Sequence, residues 1–346
     1  MSQELSYFLK FCDYFLVRGH AAAVEGRDLR VGRIWVTVNS SLLTTAGAGP
    51  LGSKISTETT RGYLYAVVGA VCGGSVTVLT KILLEKNGPI PITGLAFSIS
   101  GLMLLFYQPR LKPVRQSVPY LLFLGLVGAA LSPLMYTYGL SQTTAVNAAL
   151  LANGEVLFTT ILAYSVFGER LVRAQALRGL LIVAGLVVVS TDLDITHISF
   201  LQGIVGNMLV LGSTVGWAVE NNLLVAATKR FDVPSLSKFR NLIGGAVVMA
   251  VVVLGGFTFD FTYYDDFVLV LLAVALSGGV ALFIAAIKRL GAIRMLLVWS
   301  TSTVFGAFFA FVILGEQITV GQLTGGALIM LGVYLFRRSE RQLPTA

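Results

Sequence analysis

A carboxylate stands in the middle of an apolar stretch, where a lipid-facing chain can least accommodate one. Glu155 is flanked by Asn153 and Gly154 and lies some eleven residues into the segment 144–167. A charge at the centre of a membrane helix costs about 2.5–3.5 kcal/mol on insertion scales, so a retained one is a functional candidate. Such a group can pair with an amine, exchange a proton, or, as a neutral acid, bond a neighbouring helix. Glu220 is the second case, accompanied by Trp217, Asn221 and Asn222. Lys81 is the third, and its long stem also permits escape to the interface. Tyr136 and Tyr138 point about 200° apart on a helix, so at most one faces a shared cavity; Tyr138 is the candidate. Asn153 and Asn222 complete the polar set, with Trp299 and Ser302 added by the repeat described below. All are candidates for substrate binding or coupling, and none for catalysis.

These groups need positioning by segments of one kind. The hydrophobic fraction is 55% and the charged fraction 12%, where soluble domains carry about 25% charged residues. Mean hydropathy is +0.82. A bilayer core takes roughly 20 apolar residues per helix. Ten such segments fall at 63–85, 91–108, 118–141, 144–167, 175–191, 203–227, 238–257, 266–287, 293–314 and 320–336. The expected fold is therefore all-α and transmembrane.

The net charge of +8 has a distribution that speaks of topology and not of nucleic acid. With both termini inside, alternate loops hold Arg110, Lys112 and Arg115; Arg170, Arg173 and Arg178; Lys229, Arg230, Lys238 and Arg240; and Lys288, Arg289 and Arg294. The tail adds Arg337, Arg338 and Arg341, whereas the opposite loops hold only Lys86, with Lys81 just inside. Lys and Arg set orientation while acids contribute little. The expectation is a multi-pass protein of the cell membrane with N and C termini cytoplasmic. Two cysteines, Cys12 and Cys72, and two histidines, His20 and His197, supply neither a disulfide framework nor a metal site. No cofactor is expected.

The chain contains its own duplicate. Residues 145–185 align without a gap to residues 292–332, with eleven of 41 positions identical. Each copy carries Gly-Glu (Gly168-Glu169 and Gly315-Glu316), then Gln175 or Gln322, then Gly179 and Gly185 or Gly326 and Gly332. Five spans per copy make the two copies upside-down relative to each other, a construction that places substrate sites near the membrane midplane. Ser302 then corresponds to Glu155, and Trp299 to Ala152. Glu169 and Glu316, at helix ends, are taken as structural, and Gly321 and Gly325 form a close-packing GxxxG face.

The doubled motif with this span count resembles the drug/metabolite transporter superfamily, in its ten-helix EamA-like branch. The resemblance covers residues 62–338 and implies two inverted five-helix repeats, at 62–192 and 203–338. Members move amino acids, other metabolites, sugars or drugs. This chain departs from the common pattern in the middle of spans four and nine. Asn153-Gly154-Glu155 and Ser300-Thr301-Ser302 stand there in place of a proline.

Residues 1–60 share nothing with the repeat. They are expected to form a cytoplasmic tail, either amphipathic (Leu5, Phe8, Leu9, Cys12, Phe15 and Leu16 recur at helical spacing) or disordered. The function expected is secondary active transport, as an exporter, of a small polar or amphiphilic metabolite such as an amino acid, by alternating access. No phosphate-binding GxxxxGK[ST] sequence is present, so energy would come from a gradient. A membrane-embedded enzyme and a channel are the alternatives. The apolar segments contain neither histidine nor paired carboxylates for the first, and the internal duplication does not suit the oligomeric symmetry of the second. The chain is expected not to be an enzyme. Expected partners are a small-molecule substrate and the lipid bilayer, with no nucleic acid, in a monomer or homodimer.

Overall fold

The computed structural model describes residues 29–31, 34–36, 57–105, 118–165, 173–192, 198–228 and 231–340. Two three-residue strands, β1 (Leu29–Val31) and β2 (Ile34–Val36), pair antiparallel, with Leu29 opposite Val36. The amphipathic stretch expected near the N-terminus lies outside the described residues. Everything else of regular structure is helical.

In chain order the first half contains α1 (Thr57–Leu83), α2 (Pro89–Met103), α3 (Val118–Leu126), α4 (Ser132–Ser141), α5 (Ala145–Leu151), α6 (Gly154–Ser165) and α7 (Arg173–Thr191). A π-helical turn at Val127–Leu131 joins α3 to α4 without a break. The second half contains α8 (Ile198–Ala227), α9 (Val233–Leu254), α10 (Tyr263–Leu290), α11 (Ala292–Trp299), α12 (Ser302–Phe309) and α13 (Val320–Glu340). Here a π turn at Ala310–Leu314 extends α12.

Seven helical segments among the described residues are long and apolar enough to cross a membrane, and Pro89–Met103, Gly179–Thr191 and Val320–Leu335 are shorter apolar helices. The protein is a multi-pass membrane protein. Several helices begin earlier than hydropathy alone places them. α1 starts at Thr57, not 63. α9 starts at Val233, not 238, because the Asp232 side chain accepts from Ser235 N at 3.3 Å and a proline occupies the first turn. α10 starts at Tyr263, not 266, behind a reciprocal capping box of Thr262 and Asp265.

The packing repeats itself when the halves are exchanged. α1 packs on α10 and α12, and the counterpart of α1, namely α8, packs on α4 and α6; α2 packs on α9 and α7 on α13. α2 and α9 run antiparallel: Gly94 faces Val248 and Met249, while Gly101, further along α2, faces Leu242. α9 depends on bare backbone against two neighbours. A Cβ on Gly244 would strike Ala129 of the π turn, and one on Gly245 would strike the backbone of Ser98 on α2. Without a strong hydrophobic drive between helices in lipid, such close approach is what dispersion needs.

Candidate functional site

The spans Ala145–Ala163 and Arg294–Leu314 are both broken, and at nearly the same place in the repeat. α5 ends at Leu151 and α6 begins at Gly154; α11 ends at Trp299 and α12 begins at Ser302. Across the first break the bonds tighten to three-residue steps, Asn153 N to Leu150 O at 3.2 Å and Glu155 N to Ala152 O at 3.1 Å. Across the second, Thr301 N bonds Val298 O at 3.0 Å. No proline is needed, since Asn153, Ser300 and Thr301 bond their own preceding carbonyls and so compete with the regular ladder. Each break leaves a helix N-terminus at mid-span. Glu155 sits in the first turn of α6, where the helix dipole favours negative charge.

Both breaks open on one cavity, partly continuous with the exterior and lined from both halves of the chain. Glu155, Glu220, Trp217, Trp299 and Ser302 line it, as expected from the sequence. Glu155 is buried, and its Oε1 accepts from Asn221 Nδ2 at 2.5 Å. Phe283 and Trp299 meet edge-on at 4.8 Å, forming an aromatic wall.

Glu220 does not stand alone. Arg240, from the second turn of α9, grips its carboxylate through Nε and, at 2.9 Å, through Nη2. Nη2 also donates to the carbonyl of Gly128 at 2.6 Å, and Nη1 donates to Asn241 Oδ1 at 2.9 Å. Asn241 in turn donates to Ser100 on α2 at 2.8 Å. The Gly128 carbonyl belongs to the π turn, whose wider loop leaves backbone groups for partners outside the helix. Trp217 Nε1 uses the same oxygen at 3.3 Å. The charge count of the sequence placed Lys238 and Arg240 in a cytoplasmic loop. The structure corrects this: both are buried in α9, and Arg240 lines the cavity. The Asp232-Val233-Pro234 start signal in the sequence already places Arg240 two turns inside a helix.

The remaining candidates lie elsewhere. Tyr138 is 37% exposed and off the cavity, whereas Tyr136 lines it, its hydroxyl 2.7 Å from Thr77 Oγ1 and its ring 5.4 Å from that of Trp217. Lys81 donates to the carbonyls of Leu140 and Thr143 at 2.8 and 2.6 Å, where α4 ends, a favourable place for a cation. Asn222 donates to Ala218 O and Thr159 O, and Asn153 to Leu150 O. None of these three lines the cavity.

The model of the EamA-like transporter family matches residues 60–191 and again 204–338. The chain belongs to the EamA-like transporter family. Relatives agree: an "Uncharacterized transporter" of Methanothermobacter thermautotrophicus is 28% identical over 294 residues, covering 79% of this chain and 85% of that protein. A "Probable amino-acid metabolite efflux pump" of Salmonella typhimurium is 29% identical over 291 residues, covering 79% of this chain and 93% of the pump. A crystal structure superposes with a TM-score of 0.61 at 17% identity, covering 82% of this transporter and 99% of the other chain, a likeness of fold. The fold expected from the sequence, a duplicated all-α membrane protein of this family, is the one found.

Proposed function

We propose that this EamA-family transporter is a secondary active exporter of a small amphiphilic metabolite, with Glu155 as the group that couples transport to proton movement. One observation carries the reading. Of the two carboxylates facing the cavity, Glu220 is neutralised by Arg240, while the hydrogen-bond partner of Glu155 among the described residues is the uncharged amide of Asn221. A buried carboxylate without a counter-ion takes up either a proton or a cationic group, and in a cavity between two repeats that alternative is a coupling mechanism. Alternating access then follows from the duplication, as the two halves rock about the broken spans. The efflux relative supports the outward direction. The aromatic and aliphatic wall suits an apolar portion of the substrate, and the Glu155–Asn221 side suits a polar portion. Ten spans with both termini in the cytoplasm, in the cell membrane, complete the proposal.

Glu155→Gln tests it, because the amide keeps the shape and hydrogen bonding but not titration. In cells loaded with amino acids and related amines, the variant should insert at the wild-type level yet lose most efflux. The wild type should also move protons against substrate in proteoliposomes, and the variant should not. Wild-type efflux with an unchanged pH profile in Glu155→Gln would reduce Glu155 to a packing residue.

A further inference from the structure

The Arg240–Glu220 pair has two properties that a purely structural ion pair does not need. Both side chains are almost fully buried, at 7% and 3% exposure, and both face the transport cavity. Arg240 is held by Glu220, Gly128 and Asn241, which use four of its five donor hydrogens. One Nη1 hydrogen has no partner among the described residues. We infer that the Arg240–Glu220 pair is a recognition element for a zwitterion, whose carboxylate binds Arg240 and whose ammonium binds Glu220, by insertion into the pair. This inference rests on the proposed function, since it names the substrate class of the same cavity.

A buried ion pair must keep its charges matched when a ligand enters. Separating a buried ion pair leaves each member uncompensated, which is strongly unfavourable. A zwitterion avoids this, because it replaces one ion pair by two and keeps every charge matched. An amine alone would compensate Glu220 and strand Arg240. A carboxylate alone would do the reverse. The pair therefore rejects singly charged analogues of its ligand, a form of selectivity that a lone charged group cannot provide. Gly128 and Asn241 keep their bonds to Arg240 throughout and hold the guanidinium in place while its partner changes. Trp217, Leu224, Leu276, Phe283, Ile284 and Trp299 also line the cavity, so the ligand has an apolar body. Glu155 remains outside this exchange and available for the proton.

The test uses the full chain purified in detergent and calorimetric titration with the proteinogenic α-amino acids. For each amino acid that binds, its α-amide, its decarboxylated amine and its N-acetyl derivative are titrated in turn. Each singly charged analogue should bind roughly 100-fold more weakly than its parent. In the double variant Glu220→Gln/Arg240→Gln, which keeps shape and neutrality, that discrimination should collapse to within about threefold while Glu155 is intact. Should the double variant not fold, Glu220→Gln alone leaves Arg240 in search of an anion, and the N-acetyl derivative should then gain on its parent. An amide or amine that binds the wild type as tightly as the amino acid overturns the inference. So does discrimination that survives the double variant, and so does a panel in which no amino acid binds. In all three cases the coupling role of Glu155 is decided separately, by the efflux and proton measurements on Glu155→Gln.

Discussion

Glu316 Oε1 accepts the backbone N–H of Ala145 at 2.8 Å, and its second carboxylate oxygen accepts that of Val146 at 3.0 Å. The Gly-Glu motif of one repeat thus caps a helix of the other. It meets α5 where the first N–H groups have no partner in the helix, and the negative charge lies at the positive end of the dipole. Gln322, six residues later, adds bonds to Thr144 and Asn147 on the same turn. Gly315 makes this possible by ending the preceding π turn at φ 68°, a left-handed conformation that glycine adopts without strain. Glu169, the counterpart, lies outside the described residues.

Glu316→Ala should therefore destabilise the protein by about 1–2 kcal/mol, the usual loss for a charged cap. A lower melting temperature in detergent is the measurement. Glu316→Gln, which keeps one acceptor, should lie between the wild type and the alanine variant. Equal melting of all three would deny the cap its role.

Gly128→Ala should abolish transport. Its Cβ would land on the Glu220 carboxylate, forcing apart the Arg240 clamp and the π turn together. Gly278→Ala is the control, since nothing lies within 4 Å of its Cβ position and helix propensity rises by about 1 kcal/mol on replacing glycine with alanine. Efflux and size-exclusion profiles of the two variants separate a specific clash from general sensitivity of glycine sites.

Residues 1–56 should be dispensable for insertion and transport, since the repeat and its first helix begin after them. The boundary is set by Glu58, which pairs with Arg61 at 3.1 Å and with Arg289 at 3.0 Å. A chain begun at Met-Thr57 should match the full-length protein in surface expression and efflux. Normal insertion with lost efflux would give the tail a function.

A cysteine introduced at Ser199 should react with an impermeant thiol reagent in whole cells, and one at Ser117 should not. The basis is the bias of Lys and Arg toward one set of loops. Moving Lys238 and Arg240 into the membrane weakens the tally without reversing it. The opposite labelling pattern would invert the topology.

Membrane character, duplication and family were legible in the chain because each depends on composition or on residues close in sequence. An apolar run long enough to cross lipid must form a helix, whatever surrounds it, because every backbone polar group needs an internal partner. The depth of Glu155 and Glu220 followed from the same runs. What one dimension could not hold was the partner of each polar group. Arg240 looked like a loop cation until a capped, proline-led start moved the helix boundary five residues back, and only the packing of α9 and α8 on the same π turn placed it on Glu220. Tyr136 and Tyr138 differ by half a turn, and which of them faces the cavity depends on how α4 is rotated against α1. Lys81, deep and charged, ends on two carbonyls at the end of α4. Burial of a charge can be read from sequence, but its neutralisation is a contact between distant segments, and contacts of that kind exist only once the helices are packed.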